Sequence, residues 1–134
     1  MNLQYLENMP EAPVETSLEL EEEEKVVFAA YLGCFGDQND RMLGKDVPLL
    51  LTNKRIFLYN GAGLFTIDIA ENIASCKKVK TGFWIFKSEY FEIVLKEKVI
   101  YADGQAELTG YQLYFYDEAV KAQFTDIVHN VFGE

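Results

Sequence analysis

Four lysines, Lys77, Lys78, Lys80 and Lys87, crowd the stretch KKVKTGFWIFK around Phe83, Trp84, Ile85 and Phe86. Cations beside an aromatic wedge suit an anionic membrane interface. The same residues also suit an edge strand, with Trp84 and Phe86 in a core and the lysines in water, where charge blocks unwanted strand pairing. Each lysine near an anionic surface contributes about 1 kcal/mol. The four together would give about 4 kcal/mol, or roughly millimolar affinity. A second basic pair, Lys54–Arg55, lies in Thr52-Asn53-Lys54-Arg55, between the apolar runs Leu49–Leu51 and Ile56–Tyr59. A third basic group, Arg41 and Lys45, falls in GDQNDRMLGKD, residues 36–46, among Asp37, Asp40 and Asp46. The Gly, Asp and Asn of that stretch predict a loop.

None of the remaining polar residues forms a catalytic constellation. The only histidine, His129, sits mid-helix beside an apolar stripe, with no Ser or Cys motif to accompany it. Cys34 and Cys76 are far apart without metal-ligand spacing and read as two small buried hydrophobes. The carboxylates show no D-x-D-x-D-G repeat, and no Gly-rich loop opens a helix after a strand. The expectation is a protein that is not an enzyme and takes no cofactor or metal.

The net charge of −10 is unevenly placed. Residues 1–24 hold eight Glu and no Lys or Arg, while the remainder carries 14 acidic and 12 basic side chains. An acidic leader on a nearly neutral domain excludes nucleic acid, which needs clustered excess cations. It also disfavours tight binding to an anionic membrane. No run of 18 apolar residues offers a membrane span, and the first residues lack a basic-then-apolar secretory pattern. A cytoplasmic protein is expected, with peripheral membrane contact as its outer limit.

Aromatics reach 14% of the chain, including ten Phe and eight Tyr, and favour strands. Residues 1–17 read as an acidic arm, either flexible or packed through Leu3, Tyr5 and Leu6, and 18–134 as one domain. A strand is predicted at about 25–35. VPLLLT and RIFLYN flank a turn at Asn53–Lys54 that would use positive φ and keep its polar residues in water. NGAG makes the next turn. LFTIDIA is a strand with Phe65, Ile67 and Ile69 inward. A turn at Thr81–Gly82 leads into FWIFKSEYFEIVL. A short strand at 98–102, a turn near Asp103–Gly104 and a last strand at 111–116 follow. The period then changes from 2 to 3.6. Val120, Phe124, Ile127, Val128 and Val131 form one helical stripe, with Asp117 as N-cap and Gly133 as the stop.

About seven strands and one closing helix resemble pleckstrin-homology-like (PH-like) domains. The apolar–TNKR–apolar segment resembles the signature of bacterial PH-like and GRAM-like domains. Glu24–Lys25 is similar to the Glu-Lys pair that opens them. The resemblance implies a mainly β fold, a bent and partly open barrel of about seven antiparallel strands capped by the amphipathic C-terminal α-helix. It implies a non-enzymatic binding or assembly module, through protein–protein contact or self-association. Phosphoinositide-binding members bring several Lys and Arg to the loop after the first strand. Here Arg41 and Lys45 face three Asp, a departure from that pattern. The candidate partner or lipid contacts are therefore Arg41, Lys45, Lys77, Lys78, Lys80, Phe83 and Trp84, beside the signature turn Thr52, Asn53, Lys54 and Arg55. Weak binding of anionic lipid, or an apolar ligand inside a small barrel, are the alternatives. The large inward aromatics argue for a filled core instead.

Overall fold

The computed structural model describes residues 1–83, 86–101 and 106–133. Its strands are β1 (Val26–Asp37), β2 (Met42–Thr52), β3 (Arg55–Asn60), β4 (Gly63–Asp68), β5 (Ile73–Phe83), β6 (Phe86–Tyr101) and β7 (Ala106–Tyr114). Helix α1 (Gln4–Asn8) precedes them, α2 (Ile69–Asn72) joins β4 to β5, and α3 (Glu118–Phe132) closes the chain. Every pairing is antiparallel, in the order β4-β3-β2-β1-β7-β6-β5. The sheet is therefore open, with β4 and β5 at its edges.

Alternation along each strand builds the core. Leu49, Leu51, Ile56, Leu58, Phe91 and Ile93 point inward and are nearly inaccessible. The α3 stripe seals one end: Phe124 meets Phe91 edge-on at 4.7 Å, and Phe115 and Phe28 at 5.1 and 5.7 Å. Asp117 caps α3 by accepting from Ala119 and Val120 N–H, and Gly133 ends it in the left-handed conformation at φ 81. Leu6 of α1 is 1% exposed and shares the core with α3, and Asn2 N–H donates to the Val131 carbonyl at 2.6 Å. The void between Leu6, Phe124 and their neighbours is about 10 Å³, far below the roughly 300 Å³ at which small-molecule sites begin. That end of the core leaves no room for an enclosed apolar ligand.

Several boundaries differ from the sequence expectation. The loop expected at 36–46 is mostly strand, because β1 runs to Asp37 and β2 starts at Met42. Asp37 makes this possible by folding the intervening turn onto itself, its carboxylate accepting from Asn39 and Arg41 N–H at 2.8 and 3.0 Å. Thr81–Gly82 is not a turn; β5–β6 pairing continues through Gly82↔Lys87 to Phe83↔Phe86. Residues 98–101 belong to a continuous β6, whose register shifts between Val94 and Val99. The turn expected near Asp103–Gly104 lies outside the described residues. β7 begins at Ala106 rather than 111 and ends at Tyr114. Ile69 starts α2, since Asp68 caps it by accepting from Glu71 N–H, yet Ile69 remains buried.

Candidate functional site

The signature turn lies under the N-terminal segment rather than at a free tip. Thr52 and Asn53 are 0% and 3% exposed. Neither Asn53 nor Lys54 has positive φ, so the expected turn chemistry is absent. Thr52 shapes the bend instead: its hydroxyl oxygen accepts from Lys54 and Arg55 N–H at 3.0 and 2.7 Å. Its proton goes to Glu24 at 2.6 Å.

Glu24 is the hub. Arg55 grips its carboxylate with Nε at 3.0 Å and a terminal nitrogen at 2.6 Å, and Glu21 N–H adds a bond of 2.8 Å. Burial pushes the Glu24 pKa up, but the Arg55 and Thr52 hydrogen bonds outweigh it and hold the group at about 2. Asn53 completes the knot. Its side-chain oxygen accepts from Lys25 N–H at 2.8 Å, and its amide donates to Glu7 and to the Glu23 carbonyl, both at 3.0 Å. Lys54 reaches the Glu22 carbonyl at 3.1 Å, and Arg55 the Glu19 carbonyl at 3.1 Å. The Arg55 guanidinium also lies 4.7 Å over the Phe57 ring. Glu24–Lys25 and Thr52–Arg55 thus meet in space and fasten the acidic segment to the β2–β3 hairpin. Sequence reasoning placed both motifs but missed their contact, which no spacing rule announces across 28 residues.

Three of the lysines proposed for anion binding, Lys77, Lys78 and Lys80, lie beside carboxylates, and the Lys87 side chain lies outside the described residues. Lys77 lies 4.0 Å from Glu92, and Lys78 and Lys80 lie 3.4 and 3.9 Å from Glu89. Glu89 also pairs with Lys121 of α3 at 3.3 Å. Burial raises the Glu89 pKa, but the surrounding lysines bring it below the ordinary carboxylate range. The β5–β6 register produces this ladder by setting Lys77 opposite Glu92 and Lys80 opposite Glu89. Trp84 and the Phe83 side chain lie outside the described residues.

Arg41 occupies the β1–β2 turn, and Lys45 is exposed on β2 opposite Cys34. The row Phe35–Leu113–Phe91 crosses β1, β7 and β6. The β1–β2 turn lies to one side of that row and the β5–β6 tip to the other, so the two basic groups do not converge. Asp40, which opposed Arg41 in the sequence, accepts from Gln112 at 2.7 Å. Burial pushes the Cys76 thiol up to about 12, as fits a core residue. His129 is exposed on α3. Among the described residues no His, Cys, Asp or Glu group is arranged to hold a metal ion.

Two surface grooves stand out. One, about 620 Å³, lies in the open seam between β4 and the end of β6, lined by Leu64, Phe65, Val99, Ile100, Tyr101 and Tyr111 among others. The other, about 500 Å³, lies between Val14–Ser17 of the acidic arm and the outer face of β1–β3. Its floor includes Ala29, Tyr31, Pro48, Leu50 and Tyr59.

No helix among the described residues is long and apolar enough to cross a membrane. No family model matches the sequence, and no curated protein does. Among solved structures, the chain is similar to a Vps36 N-terminal PH domain, with a TM-score of 0.60 and 16% identity over 92% of this chain and 89% of that one. At that identity the likeness concerns the fold: seven antiparallel strands in an open sheet, closed by a C-terminal helix, are a PH-like architecture.

Proposed function

We propose that the chain is a non-enzymatic binding or assembly module that engages a protein partner or a second copy of itself. The observation that carries this reading is the state of its cations. Lys54, Arg55, Lys77, Lys78, Lys80, Lys98 and Lys121 each face a carboxylate within 4.0 Å. Lys25 and Lys96 reach main-chain carbonyls. A head-group site needs convergent, uncommitted cations, and the described residues offer few. Residues 77–92 hold four Lys against Glu89 and Glu92. That net charge is worth about 2 kcal/mol at an anionic surface, or affinity in the tens of millimolar.

The fastening of Glu24–Lys25 to Thr52–Arg55 supports a place among bacterial PH-like and GRAM-like domains. Two free thiols, Cys34 and Cys76, fit a reducing cytoplasm.

Co-sedimentation with vesicles rich in phosphatidylserine, alongside light scattering of the full chain, tests the reading. Negligible vesicle binding at micromolar lipid is expected. Micromolar binding that disappears in Trp84→Ala would overturn it and make the β5–β6 tip a peripheral membrane contact.

A further inference from the structure

The protein-binding reading leaves open where a partner sits and what chemistry it brings; the inference below rests on that reading and supplies both. β1 and β2 pair as Ala29↔Leu50 and Tyr31↔Pro48, while their neighbours in the register Ala30↔Leu49 face the core. Alternation therefore puts Ala29, Tyr31, Pro48 and Leu50 on the outer face. Phe57, opposite Leu50, shares that face but is only 2% exposed. Tyr31 is 74% exposed. Gly33, two residues along β1, has no side chain, and the Tyr116 ring occupies the space where a Cβ would stand. Tyr116 is itself 69% exposed. An aromatic strip thus continues from the groove floor across β1.

The wall facing this floor is the acidic arm. It is held on one side by Ala12 N–H donating to the Val26 carbonyl at 2.8 Å. On the other side Arg55 donates to the Glu19 carbonyl at 3.1 Å. Between these anchors the described hydrogen bonds are local: Val14 N–H to Ala12 and Leu18 N–H to Thr16. The arm therefore stands off the sheet over Val14–Ser17 and leaves the groove of about 500 Å³. Glu15 lines it, and Glu11 and Glu19 flank it in sequence, all exposed.

We propose that this groove binds an extended, cationic segment of a partner protein, with apolar side chains on the Ala29–Pro48–Leu50 floor and Lys or Arg against Glu15 and the Tyr31 ring. Charge complementarity selects the occupant, because Glu15 lines the groove and Glu11 and Glu19 flank it, all exposed, on an arm whose residues 1–24 contain no Lys or Arg. Exposed tyrosine faces beside carboxylates favour guanidinium and ammonium groups by cation–π attraction. An anionic lipid surface would be repelled from the same wall.

The test is fluorescence polarisation of the full chain with a labelled decapeptide alternating arginine and proline, which is preorganised in an extended form. A glutamate–proline peptide is the control. Saturable binding is expected, weakened about fivefold or more by Tyr31→Ala and by Glu15→Lys. Glu97→Lys, on β6 away from the groove, should change it by about twofold or less. Tyr31 is so exposed that its replacement leaves the fold intact. Equal losses in Glu15→Lys and Glu97→Lys would show unspecific attraction and overturn the proposal. So would indifference to Tyr31→Ala, or no binding at millimolar peptide. If the peptide fails while light scattering shows a concentration-dependent dimer, the groove assignment falls and the protein-binding reading stands. If only anionic vesicles bind, both fall.

Discussion

Glu24→Gln keeps the shape of the side chain at the centre of the knot and removes its charge. At pH 7 it leaves the Arg55 guanidinium, whose side chain is 19% exposed, without its counter-charge. Removing one partner of a buried pair costs about 3–5 kcal/mol. Proton linkage gives a second figure. Glu24 moves from 4.5 to about 2 on folding, and at roughly 1.4 kcal/mol per unit this contributes about 3 kcal/mol of stability. The folded-state pKa is depressed, so the contribution is present above the unfolded value and is lost as pH falls through the folded one. Urea denaturation of both proteins should show a gap of about 3 kcal/mol at pH 7 that shrinks by about 2 kcal/mol at pH 3, where the native carboxylate is starting to protonate. A gap below about 1 kcal/mol at pH 7, or one that ignores pH, would refute the assignment of Glu24 as the hub.

Three further outcomes follow from the same packing. Lys54→Ser should cost about 1 kcal/mol or less in urea denaturation, since Lys54 and Glu21 lie 3.8 Å apart with side chains 37% and 56% exposed; a loss comparable to that of Glu24→Gln would contradict the different roles of Lys54 and Arg55. Phe124→Ala should destabilise by about 3–5 kcal/mol, and a chain ending at Glu118 should lose cooperative unfolding, because α3 completes the core; a cooperative truncated chain would make α3 an appendage. Gly110→Ala and Gly33→Ala should separate in thermal melts. A Cβ at 110 would stand 2.7 Å from the Ile93 carbonyl, which the sheet fixes, and should cost about 1–3 kcal/mol. The atoms nearest a Cβ at 33 belong to the exposed Tyr116 ring, which can swing aside.

The fold was readable where one face of an element had to be apolar. The α3 stripe, its Asp117 cap and its Gly133 stop stand where periodicity and capping chemistry put them. So does the inward row Phe91, Ile93 and Leu95 of β6. Turn positions were readable only when composition and pairing agreed. The residues of 36–46 looked like a loop because Asp and Gly dominate them, yet Asp46 adopts φ 53 within a paired strand. Thr81–Gly82 looked like a turn because Gly permits one, yet cross-strand pairing carries on past it. Main-chain hydrogen bonding overrode local preference at both places. The lysine stretch was readable as a charged edge strand but not as an ion-pair ladder, since that depends on a register no single strand contains.

The signature turn shows why a motif can be recognised before its chemistry is understood. Its polar residues invite a ligand reading, and the expectation of a solvated tip follows from polarity alone. Polarity does not say where the partners are. Thr52, Asn53 and Arg55 find theirs at Glu24, Lys25, Glu23, Glu7 and Glu19, within the segment that looks from its charge like a loose leader. Glu24 is neutralised in this knot, and Glu21 and Glu7 are engaged beside it. The carboxylates of Glu11, Glu15, Glu19, Glu22 and Glu23 remain exposed. The same fastening that buries Glu24 therefore holds a negatively charged strand over an apolar, tyrosine-rich face, so the structural role of the signature and the binding surface proposed beside it share one physical origin.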